Sequence, residues 1–303
     1  MSDIEQLNTQ FGIPGRVAFV EGPGGLPVVE MVNGVGKTAV SLHGGHVLSY
    51  MPHDQASVLW MSQLAEFAPG KAIRGGIPVI WPWFGSHPSD SSKPSHGFAR
   101  RQLWAVQGVE AAGDHRQLTL SLSDSPESRA IWPHHFLLTL QVTLDAALHV
   151  ELTTSNTGRT PFVITQALHS YFTISEIKNI AITGLEQCAY LDQLDEMRRK
   201  RQPGAITFAE EVDRIYIETT GDCVLHDSGL NRSIRVAKRG SGSTVIWNPW
   251  VAKAQRMADF GDEEYRAMVC IETTNAADDQ VTILPGEGYR LTAVISVEPY
   301  EKA

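Results

Sequence analysis

The sequence predicts an all-β protein, a large antiparallel β-sandwich with a few short helices. Short runs rich in β-branched and aromatic residues follow one another along almost the whole chain, and Gly, Asn or Pro separates them. Only residues 4–10, 126–131 and 250–257 favour a helix, which argues against a regular alternation of strands and helices. Because no linker-like stretch interrupts the 303 residues, we expect a single domain over residues 1–303.

The predicted strands lie on both sides of one long irregular stretch, residues 71–101. Those before it are 16–20, 26–32, 37–42 and 45–50. Those after it are 102–109, 116–122, 135–144, 148–154, 161–174, 205–208, 214–219, 222–226, 232–237, 243–247, 267–273, 280–284 and 288–297. Strands so many and so short, with turn residues between them, are typical of a sandwich.

The stretch 71–101 is the most unusual part of the sequence. Arg74 stands near its start, followed by two glycines that allow a backbone to pass close to a ligand, and Arg100 stands near its end. Between the two arginines lie prolines, which block regular strand pairing, and a cluster of tryptophan and phenylalanine side chains. We predict that this stretch is an ordered loop forming the floor and one wall of a ligand pocket.

The charge and composition of the chain limit the kinds of molecule that it is expected to bind. A net charge of −9 lacks the basic field that nucleic acids or anionic membranes require, so neither is expected as a partner. The first residues carry no basic leader and no long apolar run, which leads us to expect a cytoplasmic protein. Cys188, Cys223 and Cys270 are widely spaced and form no CxxC pair, so we expect buried thiols rather than disulfides or a zinc site.

Several short patterns resemble binding motifs but lack the necessary context. Residues 36–38 read like the end of a phosphate-binding loop, yet Met31 stands where that loop needs its first glycine. His43 and His46, and the histidine pair at 134–135, have no carboxylate at a ligand spacing. We expect surface or core histidines at these positions and no metal site.

Two titratable side chains lie inside apolar strands. His169 could be a hydrogen-bonded core residue or a group that exchanges protons near neutral pH. Glu272 shares its strand with Met268 and Cys270, and it could reach water, form a buried ion pair, or act as a base whose pKa is raised by burial. Asp213 is a weaker candidate because the acidic residues beside it suggest a solvated turn.

Arg74 and Arg100 are candidates for an anion clamp, since a guanidinium can grip phosphate oxygens through two parallel hydrogen bonds. The alternative is ordinary surface arginines paired with some of the excess carboxylates. Their position on either side of one aromatic loop favours the clamp. In the tandem Arg100-Arg101, strand alternation would point the first arginine inward and leave the second to pair outside.

Five motifs occur in the chain in a fixed order, RGGIPVIWPWFG, HGFAR, ALHSYF, VIWNPWVAKAQRMADF and MVCIETTN. In this respect the sequence resembles the glucose-6-phosphate 1-epimerases, hexose-phosphate mutarotases of the aldose 1-epimerase-like group, from about Val40 to Val297. The resemblance implies a galactose mutarotase-like supersandwich. It also implies an isomerase that interconverts the α and β anomers of a hexose 6-phosphate without a cofactor, and we expect it to be a monomer.

The resemblance also implies roles for particular residues. His169 would protonate the ring oxygen, and Glu272 would take the proton from the anomeric hydroxyl. Arg74 and Arg100 would contact the phosphate and the rest of the substrate, and Asp213 would bind sugar hydroxyls. Ser95 and His96 are implied as further substrate contacts, although some relatives have a glutamine where Ser95 stands.

Two other functions remain open at this point. An epimerase for unphosphorylated aldoses would keep Glu272 and His169 but would give the two arginines no reason to converge. A non-catalytic sugar-phosphate-binding protein could be built on the same fold, because a fold does not determine a function.

Overall fold

The computed structural model describes residues 3–300 and confirms the predicted all-β antiparallel architecture. Three short α-helices occur in the described range, α1 (Asp3–Phe11), α2 (Pro126–Ile131) and α3 (Trp250–Ala254). The strands are β1 (Val17–Glu21), β2 (Pro27–Val32), β3 (Gly36–Ser41), β4 (His46–Pro52), β5 (Val79–Ile80), β6 (Ala105–Ala112), β7 (His115–Ser123), β8 (Phe136–Leu144), β9 (Leu148–Asn156), β10 (Phe162–Ile164), β11 (Gln166–Leu168), β12 (Tyr171–Thr173), β13 (Ile180–Thr183), β14 (Ala189–Asp192), β15 (Arg198–Arg201), β16 (Val212–Ile217), β17 (Cys223–Asp227), β18 (Arg232–Arg239), β19 (Ser243–Asn248), β20 (Met268–Asn275), β21 (Val281–Ile283) and β22 (Gly288–Pro299).

Two eight-stranded sheets form the body of the molecule. One has the order β15-β14-β16-β19-β20-β11-β5, with β12 also paired to β20, and the other has the order β13-β17-β18-β22-β9-β8-β7-β6. Strands β1 to β4 form a separate four-stranded sheet, and β10 pairs with β21. The main hydrophobic core contains side chains from both large sheets, so they pack as the layers of a sandwich.

Strand β20 separates this main core from a second, smaller one. Val269 and Ile271 belong to the main core, whereas Met268 and Cys270 belong to the second cluster. This division follows from the alternation of side chains along a strand. Both faces are therefore covered, and every residue from Met268 to Asn275 is buried.

Most of the predicted elements are present, but two predicted strands are wrong. Residues 161–174 form three short strands, because the amides of Thr165 and His169 bond to the carbonyls of Pro82 and Pro78 in the long loop. Residues 205–208 contribute only an isolated bridge at Ile206. The strands β5, β13, β14 and β15 were not predicted, and β15 consists entirely of arginine and lysine, without the apolar alternation that reveals a half-buried strand.

The stretch 71–101 is largely irregular, as predicted, and contains only the two-residue strand β5 and a 3₁₀ turn at Ala99–Arg101. Because Arg100 and Arg101 lie in this turn and not in a strand, strand alternation cannot determine which of the two side chains points inward, and that prediction is wrong. Arg101 is half-buried, its Nε has no hydrogen-bond partner, and it forms no ion pair with any residue of the described range 3–300.

The three cysteines are free thiols, and Cys223 and Cys270 are buried while Cys188 is half-buried. Helix α3 ends at Ala254, three residues before the predicted boundary, whereas α2 has the predicted bounds. Within residues 3–300 no helix is both long enough and apolar enough to cross a membrane.

Candidate active site

A cavity of about 380 Å³ lies beside the 71–101 loop. The residues predicted to act are all among those that line it, namely Arg74, Ser95, His96, Arg100, His169, Asp213 and Glu272. A larger cavity, about 580 Å³, shares Phe84, Gly85 and Gln193 with the first but contains none of these predicted residues. The concentration of titratable groups makes the smaller cavity the candidate active site.

Strand pairing brings His169 and Glu272 together. Leu168 on β11 pairs with Thr273 on β20, and Tyr171 on β12 pairs with Cys270. The same register runs through the break between β11 and β12, so His169 lies directly across from Glu272. Directly opposed side chains of an antiparallel pair are close neighbours. The Nε2 atom of His169 is accordingly 3.3 Å from Oε1 of Glu272.

Burial shifts the pKa values of both Glu272 and His169. Removal from water raises the pKa of Glu272 well above its ordinary range, and the nearby Asp213 adds to the effect. Removal from water also lowers the pKa of His169 well below its ordinary range, with smaller contributions from His96, Arg100 and Arg74. Both shifts favour the neutral form of the side chain, and they therefore favour a pair that holds one proton, on Glu272. Moving that proton to His169 requires only a transfer across the contact between them.

Arg74 is held by two partners. Its Nε and Nη2 donate to the two carboxylate oxygens of Asp259 at 3.1 and 3.2 Å, and its Nη1 donates to the Tyr171 hydroxyl at 3.0 Å. Burial opposes its charge, but Tyr171 and Asp259 outweigh burial and raise the pKa of Arg74. Its charge thus already faces a carboxylate.

Arg100 contacts no carboxylate of residues 3–300. Its Nη2 donates to the Ser95 carbonyl at 3.0 Å, and its Nε is buried without a hydrogen-bond partner. Burial lowers the pKa of Arg100 to about 10, still far enough above neutrality for the side chain to be charged. An anion entering the cavity would supply the missing partner.

His96 is a neutral hydrogen-bond donor at the cavity wall. Its Nδ1 accepts from the Gly85 amide at 3.2 Å, which leaves the proton of the neutral ring on Nε2. Burial, followed by the charges of Arg100 and Arg74, lowers the pKa of His96 to about 3. The Ser95 hydroxyl donates to the Gly85 carbonyl at 3.3 Å and so lies on the same rim.

Asp213 lies on β16, opposite Trp247 of β19. One of its oxygens accepts from Gln193 and the other lies 3.4 Å from Lys253 Nζ. Burial raises the pKa of Asp213 while Lys253 and Gln193 oppose the shift. Asp213 is therefore a half-buried strand residue in the cavity wall, and the solvated turn considered from the sequence is wrong.

The sequence analysis assigned no role to four residues that hold this site in place. Asp259, Tyr171, Gln193 and Lys253 all contact a predicted site residue. Tyr171 lies in the motif ALHSYF, and Lys253 and Asp259 lie in VIWNPWVAKAQRMADF, whereas Gln193 lies outside the five motifs. Tyr171 had a further indication, because it shares a strand face with His169, and their rings stack 4.7 Å apart.

Of the discounted histidines, His43 and His46 are core residues, whereas His134 is half-buried and His135 is exposed. His43 Nε2 lies 2.7 Å from the Lys71 carbonyl, and His46 Nε2 lies 2.7 Å from that of Gly75. The described part of the chain does contain one group of potential metal ligands, His169, Cys270 and Glu272, which the sequence analysis did not recognise. It was missed because its members come from two segments distant in sequence.

Comparison with known proteins gives consistent results. The family model for Aldose 1-epimerase matches residues 27–296. A protein of Cenchrus ciliaris named "Putative glucose-6-phosphate 1-epimerase" is 36% identical over 275 residues, covering 86% of this chain and 81% of that protein. A Salmonella typhimurium protein of the same name is 35% identical over 245 residues, covering 80% of this chain and 81% of that protein.

A solved structure extends the similarity to the fold. The crystal structure of a "putative mutarotase (YeaD)" from Salmonella typhimurium is 31% identical in sequence and superposes with a TM-score of 0.88. The match covers 97% of this chain and 99% of that one.

Proposed function

This chain belongs to the aldose 1-epimerase family of isomerases, and we propose that it interconverts the α and β anomers of hexose 6-phosphates, glucose 6-phosphate first among them. The observation that carries the proposal is the 3.3 Å contact between His169 and Glu272 in a cavity also lined by Arg74 and Arg100. The similar proteins named for glucose 6-phosphate support the choice of substrate.

Ring opening requires one proton to leave the anomeric hydroxyl and another to reach the ring oxygen. Both oxygens are bonded to the same carbon, so the base and the acid that serve them must themselves be neighbours. In this proposal Glu272 takes the hydroxyl proton and His169 delivers one to the ring oxygen. The open aldehyde then rotates and closes on its other face, with the two roles exchanged.

The neutral pair of Glu272 and His169 is one proton transfer away from this working state. Glu272 must be ionised and His169 protonated when the sugar is bound, and the pair already contains the single proton needed. No net uptake or release of protons is then required for turnover.

Arg100 is the better of the two candidate phosphate ligands. It is charged, and it lacks a carboxylate in contact with it, whereas Arg74 is already engaged by Asp259. A phosphate held there fixes the far end of the sugar and leaves the anomeric carbon beside the proton-transfer pair. Asp213 and His96, which also line the cavity, provide an acceptor and a donor for sugar hydroxyls.

A second candidate, an epimerase for unphosphorylated aldoses, is favoured by one observation. Because Asp259 already matches the charge of Arg74, Arg100 is the one arginine among the residues described as lining the cavity that remains without a carboxylate partner for an anion to replace. In that case Arg74 positions Tyr171 and the stacked His169 ring.

The Glu272→Gln variant tests the catalytic assignment. It preserves the shape of the side chain but removes the base, so anomer exchange of glucose 6-phosphate should fall at least about a hundred-fold with little change in substrate affinity. Exchange is measured by magnetisation-transfer NMR, and affinity by calorimetric titration. The exposed Glu30→Gln variant is the matched control and should keep full activity. Near-normal exchange by Glu272→Gln would refute the assignment.

A further inference from the structure

A cysteine lies directly beside the proton-transfer pair. Cys270 precedes Glu272 by two residues on β20, so the two side chains lie on the same face of the strand. The potential ligand atoms of His169, Cys270 and Glu272 all lie within 4.8 Å of one another. All three side chains are buried, and one oxygen of Glu272, Oε2, has no hydrogen-bond partner.

We propose that these three side chains form an inhibitory binding site for a thiophilic divalent cation, with Zn²⁺ and Cd²⁺ as the fitting ions. The site coincides with the catalytic pair, but the ion takes no part in the reaction. Its ligands are the imidazole of His169, the thiolate of Cys270 and the carboxylate of Glu272.

The spacing of the ligand atoms suits a tetrahedral ion. Zinc lies about 2.0–2.3 Å from nitrogen, oxygen and sulfur ligands, so tetrahedral ligand atoms are about 3.3–3.6 Å apart. The His169 nitrogen and the Glu272 oxygen are already 3.3 Å apart. The sulfur lies no more than 4.8 Å from a ring nitrogen of His169 and from a carboxylate oxygen of Glu272, so a shift of about 1–1.5 Å relative to these atoms completes the geometry.

The fourth coordination position faces the cavity. His169 and Glu272 both line that 380 Å³ space, whereas Cys270 is not among its lining residues. A water molecule can therefore complete the coordination from the cavity side. Three protein ligands with one open position form a common arrangement for zinc.

The chemistry of the ligands selects the class of ion. One sulfur, one nitrogen and one oxygen suit Zn²⁺ or Cd²⁺, whereas Mg²⁺ and Ca²⁺ prefer oxygen ligands alone. On binding, the Cys270 thiol and the Glu272 carboxyl group each give a proton to the buffer, and the sulfur and a carboxylate oxygen form bonds to the ion. The thiolate and the carboxylate then balance the two positive charges of the cation, which offsets repulsion from Arg74 and Arg100 nearby.

Binding of the ion removes both proton-transfer atoms from use. The imidazole nitrogen and the carboxylate that the proposed reaction requires become metal ligands, so the ion should compete with a hexose 6-phosphate. This inhibitory consequence rests on the proposed function, but binding of the ion does not.

Binding is tested with Cd²⁺ alone, by the ultraviolet charge-transfer absorption of a cadmium thiolate. The full-length protein, purified with a chelator that is then removed, should develop this band and saturate at one cation per chain. Cys270→Ser should lose the band, while Cys223→Ser, which alters another buried thiol, should keep it. Absence of a saturable band in the unmodified protein, or its persistence in Cys270→Ser, would overturn the site.

X-ray absorption of the zinc-loaded unmodified protein supplies a test that does not depend on a variant folding. We expect one sulfur neighbour at about 2.3 Å together with nitrogen and oxygen neighbours. A shell of nitrogen and oxygen alone would overturn the assignment of Cys270 as a ligand.

Anomer exchange provides the second readout. Zn²⁺ should slow exchange by the unmodified protein at least tenfold, a chelator should restore it, and Cys270→Ser should be resistant. Equal inhibition of both proteins would refute the inhibitory role. If the cadmium band appears but no sugar exchanges even without metal, the metal site stands and the proposed function fails.

Discussion

At the scale of single residues, the proposed mechanism depends on one proton that Glu272 and His169 share. The pKa of Glu272 is raised and the pKa of His169 is lowered from their ordinary values, mainly because both side chains are buried. Opposite shifts widen the pH range over which the pair holds a single proton. A pair with ordinary pKa values would hold a single proton only between about pH 4.3 and pH 6.5.

The first consequence is that activity has no acid limb near the ordinary pKa of histidine. Because the pKa of His169 lies well below 6.5, a second proton should enter the pair only in more acid solution, and kcat/KM should not fall as the pH is lowered through about 6.5. A hexose 6-sulfate should be used as the substrate where it is accepted, since the charge of a phosphate changes near pH 6. An acid limb near pH 6.5 with the sulfate would show that His169 titrates normally and would contradict the account.

The second consequence separates the tandem arginines. Arg100→Ala removes the cation without a carboxylate partner and should lower kcat/KM for glucose 6-phosphate by about 10–100-fold, the value of a hydrogen bond to a charged group. Arg101→Ala, which removes the same charge one residue away, should have much less effect. Free glucose kinetics should not distinguish the two variants. Similar losses from both would mean that general charge, rather than a specific contact, attracts the phosphate.

At the scale of elements, the site is a product of strand register and one loop. The sequence predicted β20 and the irregular 71–101 loop, because apolar periodicity and proline placement are local properties. It did not predict the break between β11 and β12, which depends on backbone bonds from the loop to Thr165 and His169. Tertiary hydrogen bonds of this kind leave no periodic pattern in the sequence.

The contacts of the site residues likewise depend on tertiary structure and could not be predicted from local sequence patterns. Arg74 and Arg100 could be selected because they border an aromatic loop, but the partner of Arg74, Asp259, lies 185 residues away from it. The loss of strand alternation at Arg100 and Arg101 likewise reflects the local 3₁₀ turn. The sequence therefore allowed us to predict which residues belong to the site, but not the contacts that these residues make.

A glycine in the loop tests how tightly that element is built. Gly97 has φ of +70° and a Cβ there would lie 1.9 Å from the Trp81 carbonyl oxygen, so Gly97→Ala should cost at least about 3 kcal/mol of unfolding free energy. Gly70 has φ of +77° but open space around it, so Gly70→Ala should cost only about 1 kcal/mol. Denaturant unfolding measures both, and equal losses would show that the backbone strain, and not the close contact, decides the cost.

At the scale of the whole molecule, the fold places a basic cluster inside an acidic protein. The chain carries a net charge of −9, which repels anions in general, yet Arg74, Arg100 and Lys253 all line one cavity. Two of these three cations face carboxylates, Arg74 facing Asp259 and Lys253 facing Glu211 and Asp213. In the proposed function, selection of an anionic sugar therefore depends on local geometry rather than on the overall field.

The most direct test compares substrates with the unmodified protein. Magnetisation-transfer NMR measures the exchange rate between α and β anomers of glucose 6-phosphate, with free glucose and galactose as controls, in the presence and absence of protein. The account predicts strong acceleration for the phosphorylated sugar and little for the free sugars. Acceleration of the free sugars to the same extent would contradict the phosphate-specific account, and no acceleration of any sugar would contradict the catalytic claim itself.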